Sequence, residues 1–179
     1  MVGTVRSLIL SCLAIAGLAA CAGPIKTDLH SLGPGMADTG VLAWASAPTG
    51  NAAPVLDEAR QEVSGVLVAK GFGFSDVAPY SVSLGLSERP GDMAVAAEDG
   101  VSLSPAKRRR LLQDCEDRIF RLRVTIVDRA TGLVRYDGAA EEAHCKAGLN
   151  EVLPRLARLA VADLAQPRGE HRILSRGRD

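Results

Sequence analysis

Alternation of apolar and polar residues marks the strongest predicted elements of the chain. Apolar side chains occupy every second position in residues 80–86 and again in residues 120–126, the pattern of a strand with one buried face. A turn-rich segment at 128–132 follows the second stretch, and a return strand covers about 133–143. These two strands together predict a β-hairpin centred near Ala130.

Two other stretches have apolar residues three or four positions apart, which predicts amphipathic helices. The first covers residues 55–67 and ends at Lys70 and Gly71, a base followed by glycine. The second covers residues 149–164, and Pro154 has to fall in its first turn, because an interior proline would kink the helix. Weaker signals predict short strands at 25–32, 41–44 and 171–175, a loop from Glu88 to Leu103, and a short helix opened by Ser104 and Pro105.

Runs of paired strands with segregated helices are typical of α+β proteins. We therefore predict an α+β fold, with a mostly antiparallel sheet and two main helices packed on one face of it. Residues 25–179 have a size suited to a single domain, and the chain contains no internal repeat.

The first 20 residues have the order of an export signal. Arg6 precedes a mostly apolar run at 7–17, which is shorter than the roughly 20 residues that a spanning helix needs. The run leads into Leu18-Ala19-Ala20-Cys21. This ending resembles the lipobox of bacterial lipoproteins, in which the cysteine thiol receives a diacylglyceryl group and a signal peptidase cuts on its N-terminal side. The alternative is an ordinary secretory signal with an incidental cysteine.

The lipobox resemblance implies cleavage between Ala20 and Cys21, lipidation of Cys21, and a short lipidated tether at 21–24 before the domain. Buried acyl chains contribute about 0.8 kcal/mol per methylene, so two or three chains, palmitate among them, hold a protein on a membrane. Ala22 follows the cysteine where retention in the inner membrane usually requires an aspartate. The expected location is the cell envelope, on the outer membrane and facing the periplasm.

Charge and cysteine content narrow the picture further. The formal net charge is 0, and removal of the signal with its single base leaves −1, which does not support a nucleic-acid partner. Of the 4 cysteines, Cys12 leaves with the signal and Cys21 takes the lipid, so Cys115 and Cys145 remain. Two leftover thiols in an exported domain tend to pair.

A hairpin that turns at Ala130 places Cys115 opposite Cys145 at its open end. The same register sets apolar residues opposite each other, Ile126 with Val134 and Val124 with Tyr136. We therefore predict a disulfide between Cys115 and Cys145, which would stabilise the fold by about 3 kcal/mol in the chain-entropy model.

Four blocks of sequence resemble the bacterial lipoproteins that carry the domain-of-unknown-function family number 4136. The blocks are CAGPIKTDL at 21–29, TGVLAW at 39–44, VAKGF at 68–72 with YSVSLGL at 80–86, and FRLRVTIVDRATGLVRYDGAAE at 120–141 with LPRLARLAVADL at 153–164. The likeness spans most of the mature chain in the right order. It implies the fold and an envelope location. It transfers no catalytic residue, because the family has no established reaction.

Candidate metal ligands are scarce in the sequence. The three histidines are His30, His144 and His171, whereas a zinc site needs about four ligands, or three and a water. His144 and Cys145 are neighbours, and neighbouring side chains on a strand point to opposite faces. We therefore favour the disulfide, and expect neither a metal nor a cofactor.

Catalytic motifs are equally scarce. The chain contains no G-x-S-x-G nucleophile elbow. The glycines in residues 71–74 follow a helix rather than a strand, so they indicate a helix end and a turn instead of a phosphate loop. Glu141 and Glu142 point apart on a strand, which is poor geometry for a paired-carboxylate site, and a solvated edge is the favoured interpretation.

Two features could contact a partner. Lys107 to Arg110 is a dense basic run that could meet lipid phosphates, at about 1 kcal/mol per residue, although a solvated helix face is favoured because acidic residues follow it. Trp44 is predicted to lie in the core rather than to serve as an exposed anchor.

The sequence favours a lipid-anchored envelope lipoprotein that binds an envelope protein or apolar ligand, or has a structural role, without catalysing a reaction. The alternative is an envelope hydrolase whose site is assembled from residues distant in sequence. A polar cleft with Ser or Asp beside His would favour the hydrolase. An apolar groove or an exposed sheet face would favour binding.

Overall fold

The computed structural model describes residues 24–46, 49–96, 102–107 and 115–175. The strands within these ranges are β1 (Ile25–Leu32), β2 (Val41–Trp44), β3 (Gly73–Phe74), β4 (Tyr80–Pro90), β5 (Val95–Ala96), β6 (Ser102–Ser104), β7 (Arg118–Asp128), β8 (Val134–His144) and β9 (Gly169–Ser175). The helices are a 3-10 turn (Gly50–Ala52), α1 (Ala53–Ala69) and α2 (Leu149–Ala160).

A 7-stranded sheet forms the centre of the domain, in the order β3-β2-β4-β7-β8-β1-β9. β2 runs parallel to β3 and to β4, and the remaining pairs are antiparallel. β5 and β6 form a separate 2-stranded sheet. The prediction of an α+β fold with a mostly antiparallel sheet is therefore confirmed, and the sheet is mixed.

The loop predicted from Glu88 to Leu103 is wrong in part. β4 continues to Pro90, because its backbone ladder with β7 extends as far as the pair Pro90 and Arg118. Pairing with a long partner strand here outweighs the local turn signals. Of the other predicted loop residues that the structure describes, Val95, Ala96, Ser102 and Leu103 belong to β5 and β6.

The short helix predicted to open at Ser104 does not begin there. Ser104 is the last residue of β6, and residues 105–107 have no regular structure. Its hydroxyl group donates a hydrogen bond to Glu141 on β8 rather than capping a helix. The remainder of the predicted helix, with Arg108 to Arg110, lies outside the described residues.

α1 matches its predicted position and ends where glycine allows it. Gly71 has a φ of 93°, a conformation that glycine adopts without strain. The chain then forms the short strand β3 instead of only a turn. Phe74 of β3 stacks on Trp44, with ring centroids 5.6 Å apart, and Trp44 packs half-buried against the core.

α2 is shorter than predicted and contains Pro154 in its second turn. The helix begins at Leu149 and ends at Ala160, and the apolar residues up to Leu164 continue as turns. The prediction that Pro154 falls in the first turn is wrong. As proline has no N–H, it cannot donate the usual bond to the carbonyl of Asn150.

One hydrophobic core joins the helices to the sheet. Its fully buried members come mostly from α1 and α2 and from β2, β4, β7 and β8, among them Leu42, Val63, Leu67, Val82, Phe120, Leu122, Ile126, Tyr136, Leu153 and Leu156. No helix in the described ranges has the length and apolarity needed to cross a bilayer.

Gly138 sets how closely α2 approaches the sheet. A Cβ atom at this position would overlap the carbonyl oxygen of Ala160 and the hydroxyl group of Tyr136. That hydroxyl donates a 2.7 Å hydrogen bond to the same carbonyl, and burial raises the pKa of Tyr136. The end of α2 is thus fixed directly on β8.

Candidate functional site

The two predicted cysteines form a disulfide, as expected, although the register behind that prediction is wrong. Cys115 and Cys145 are bonded, with Cα atoms 5.6 Å apart. Ile126, however, pairs with Tyr136 rather than with Val134, and Val124 pairs with Gly138 rather than with Tyr136.

The two-residue difference has two sources: the turn is centred between Ala130 and Thr131 rather than at Ala130, and a register irregularity beside the turn adds one residue. This irregularity lies between Ile126 and Val127, and it places an extra residue of β8 next to the turn. Strand pairing ends at Arg118 and His144, so the three residues from Cys115 to Asp117 lie beyond the ladder. This segment crosses toward β8 and brings the two cysteines together.

Glu142 lies at the centre of a buried polar network next to this disulfide. Its carboxylate accepts hydrogen bonds from the Thr27 hydroxyl, from Arg155 Nε at 2.5 Å and from His144 Nε2 at 2.9 Å. Arg155 also donates to the Thr27 oxygen at 3.1 Å. The Glu142 side chain is fully buried, so the prediction of a solvated edge is wrong for this residue.

The network keeps Glu142 ionised. Burial by itself would raise the pKa of this carboxyl group. The hydrogen bonds from His144 and Thr27 and the positive charge of Arg155 outweigh burial, and the pKa is lowered from its ordinary value. An ionised carboxylate whose oxygens are occupied by β1, β8 and α2 joins these elements and is unsuited to act as a proton acceptor.

A second polar cluster brings a serine, an aspartate and a histidine together. Ser31 Oγ donates to Asp163 Oδ2 at 2.9 Å, and His171 Nε2 lies 3.5 Å from the same oxygen. Arg168 donates its Nε to the other carboxylate oxygen at 2.8 Å and its backbone N–H to Ser31 Oγ at 2.9 Å.

This arrangement differs from a hydrolase triad. In a triad the histidine lies between the nucleophile and the acid, where it can remove the hydroxyl proton. Here Asp163 lies between Ser31 and His171, and Ser31 is 2% exposed. The cluster therefore ties β1 to the segment after α2, rather than activating a nucleophile.

Side chains that alternate with the core residues point to the other side of the sheet, which we call the second face. It includes Arg89, Arg121, Arg123, Asp137 and Glu141. On it, Arg123 forms a two-pronged ion pair with Asp137, with Nε 2.7 Å from Oδ1. This pairing lowers the pKa of Asp137 and raises that of Arg123. Glu141 lies 3.6 Å from both Arg89 and Arg121, so it too is paired rather than solvated at an edge.

A cleft of about 350 Å³ opens on the second face, where Pro24 leads into β1. This volume falls within the range of small-ligand sites, about 300–1,000 Å³. The lining combines apolar with charged side chains, among them Ile25, Lys26, Asp28, Ala106, Lys107, Ile119, Glu141, Ala143 and Arg172. The lining residues include both acidic and basic side chains, and neither histidine nor serine is among them.

Most charges around the cleft are already paired within the domain. Arg172 Nε lies 2.5 Å from Asp28 Oδ1, and Lys107 Nζ lies 2.8 Å from Asp117 Oδ2. Lys107 thus contributes to a local ion pair, and the rest of the basic run lies outside the described residues.

The other predicted site residues are placed as follows. Ala20 and Cys21, the cleavage and lipidation positions, lie outside the described residues. His30 faces Glu170 at 3.7 Å, and the other two histidines belong to the separate clusters above. Among the described side chains, no group of three His, Cys, Asp or Glu residues is arranged to hold a metal ion.

Comparison with known proteins relates the chain to others by fold. No family model and no curated protein matches the sequence. Two solved structures of the PelC dodecamer from Paraburkholderia phytofirmans, one of them a single-substitution variant, are similar. The variant gives a TM-score of 0.50 at 15% identity, and the other 0.51 at 13%; each match covers 79% of this chain and 99% of PelC.

A third similar structure is a PDZ domain protein from Parabacteroides distasonis. Its TM-score is 0.53 at 10% identity, and the match covers 93% of this chain but 42% of that protein. At these identities the likeness shows a shared fold. Neither description names an enzymatic activity.

Proposed function

We propose that this chain is the precursor of a cell-envelope lipoprotein, anchored by lipid on Cys21, whose domain is a non-enzymatic binding or structural module. The resemblance of residues 18–21 to a lipobox carries this proposal. The likeness of the longer blocks to the lipoprotein family numbered 4136 supports it. So does Ala22, which favours the outer membrane with the domain facing the periplasm.

The short tether would determine which end of the domain lies next to the membrane. β1 begins at Ile25, four residues after Cys21, and an extended chain of that length spans about 14 Å. The end of the domain where Pro24 enters would therefore stay next to the bilayer surface. The cleft beside Pro24 would then open close to the membrane, and it is our candidate for the binding surface.

We further infer that both helices cover one face of the sheet and leave the second face open to a partner. α1 and α2 contact each other, and both contribute to one core. Polar strand residues such as Arg123 lie on the other side. An exposed sheet face is the feature that favours binding over hydrolysis. PelC is a dodecamer, which is the reason for keeping a structural role beside the binding role.

Replacement of Cys21 by serine tests the anchor. In cells fed labelled fatty acid, the wild type should take up label and sediment with membranes, and Cys21→Ser should do neither. Cys12→Ser is the matched control, because that cysteine leaves with the signal, and it should behave as the wild type. A wild type without label, together with a Cys21→Ser protein that still sediments with membranes, would contradict the proposal.

Cross-linking in whole cells tests the binding role. Capture of a defined envelope protein, reduced by the charge substitution Lys26→Glu in the cleft, is the expected result. Turnover of a peptidoglycan or lipid substrate without any captured partner would instead support the hydrolase alternative.

A further inference from the structure

β9 is the longer of the two edges of the sheet. One side pairs with β1 along all seven residues of the strand, from Gly169 to Ser175. No strand in the described part of the chain pairs with its other side. The opposite edge, β3, has only 2 residues. An open edge leaves every second N–H and C=O without a strand partner, so β9 can accept another strand.

The charges on β9 are self-complementary in one arrangement. Glu170 and Arg172 lie two residues apart, and so on the same face of the strand. Each contacts a residue of β1, His30 and Asp28 respectively, yet their side chains remain 87% and 58% exposed and can reach a further partner. Two antiparallel copies of β9 related by a two-fold axis at His171 place Glu170 of each copy opposite Arg172 of the other. Opposite charges in directly facing positions stabilise strand pairing.

Neighbouring arrangements are disfavoured. An axis at Glu170 would place this residue opposite its own copy, and an axis at Arg172 would do the same for the arginine. Like charges directly opposite destabilise a pair of strands. An axis midway between two residues would pair positions from opposite faces of the strand. The core face of one sheet would then adjoin the second face of the other, and the two sheets would not be continuous.

We propose that β9 pairs with β9 of a second copy of this chain, antiparallel and centred on His171. The two 7-stranded sheets then join into one continuous sheet. The same charges would discourage other strands from adding to this edge, which confines the pairing to a second copy. This pairing does not depend on the lipid anchor, so the two proposals can fail separately.

Sedimentation of the full mature chain carrying Cys21→Ser tests the pairing without interference from lipid micelles. We expect a reversible dimer. Glu170→Arg and Arg172→Glu should each weaken dimerisation about tenfold or more, because either change creates two like-charge pairs across the axis. An equal mixture of the two variants should recover the dimer, since each charge again faces its opposite. Arg158→Glu, an exposed position on α2, is the control that should leave dimerisation unchanged.

Recovery of the dimer in the mixture distinguishes a disrupted interface from a variant that fails to fold. A chain that stays monomeric at every concentration would overturn the proposal, as would a dimer that neither variant weakens. In cells, the lipoprotein carrying both Glu170→Cys and Arg172→Cys should form a disulfide-linked homodimer on a non-reducing gel. Cross-linking to a different protein instead would also overturn it.

Discussion

The two ends of the β7–β8 hairpin are held by different means. At the end where Pro24 leads into β1, which we call the tether end after the proposed lipid tether, the disulfide between Cys115 and Cys145 joins the chain across a sequence separation of 30, and the Glu142 network lies beside it. At the turn end, the Asp128 carboxylate accepts two backbone N–H bonds of 3.0 Å within the turn, and Gly132 has a φ of 71°.

This difference separates long-range from local stabilisation. The tether end depends on residues that are distant in sequence, since Thr27 and Glu142 are 115 positions apart. Loss of one partner there leaves a buried charge without its counter-charge, or removes the disulfide that closes the chain. The turn end depends on groups within a few residues, and the loss of one such group leaves solvent-exposed atoms. Substitutions should therefore be much more costly at the tether end.

Removal of the disulfide should have the largest effect. Cys115→Ser combined with Cys145→Ser should lower the free energy of unfolding by about 3 to 4 kcal/mol, from the loop-closure entropy restored to the unfolded chain. Urea denaturation of the oxidised, purified protein measures this loss. Reduction of the wild type should cause a similar loss, and reductant should not affect the double variant. Two free thiols in the denatured, unreduced wild type would contradict the bond.

Arg155→Met should come next, at about 3 kcal/mol. It leaves Glu142 buried without its charge partner, and the value lies at the low end for such changes because a quarter of the Arg155 side chain is exposed. Arg158→Met, at an exposed position of the same helix, is the matched control and should be nearly neutral. Equal effects of the two substitutions would show that the network has no stabilising role.

Acid should weaken the tether end through Glu142. The folded state lowers the pKa of this group from 4.5, so its contribution is fully present above about pH 4.5 and is lost as pH falls through the lower folded pKa. The free energy of unfolding should decline between pH 7 and pH 3, and this decline should be shallower in Glu142→Gln than in the wild type. Asp137, whose pKa is also lowered, should account for part of the remaining decline. Identical pH profiles of the wild type and Glu142→Gln would show that Glu142 does not contribute to the loss of stability in acid.

The turn end should respond least. Gly132→Ala should cost about 1 kcal/mol, because alanine is strained at a φ of 71° although nothing lies within 4 Å of the added atom. Gly148→Ala has equal space and a φ of −86°, so it should be close to neutral. A Gly132→Ala loss as large as that of Arg155→Met would contradict the contrast between the two ends.

The turn end is also the part that local sequence signals predicted well. Alternation located β7, whose core face from Phe120 to Ile126 is buried, and the composition of 128–132 located the turn. The short strands β3, β5 and β6 had no comparable signal, since two or three residues show no period and their partners are set by the tertiary fold. The irregularity between Ile126 and Val127, which shifted the register, also depends on the tertiary fold.

The buried network had a signal that could have been used. Continuing the inward parity of β8 from Tyr136 through Gly138 and Ala140 leads to Glu142 and His144. Parity alone would therefore have predicted that both polar residues face the core. Their partners Thr27 and Arg155, and the Ser31, Asp163 and His171 cluster, come from separate elements and could be identified only in the folded chain.

The central claim, that a lipid on Cys21 tethers this domain to the envelope, is tested most directly by the mass of the mature protein. Intact and peptide mass spectrometry of the protein extracted from membranes should give a chain that begins at Cys21 and carries a diacylglyceryl group, usually with a further acyl chain on the new amine. A mature chain that begins at another residue, or an unmodified Cys21, would contradict the claim.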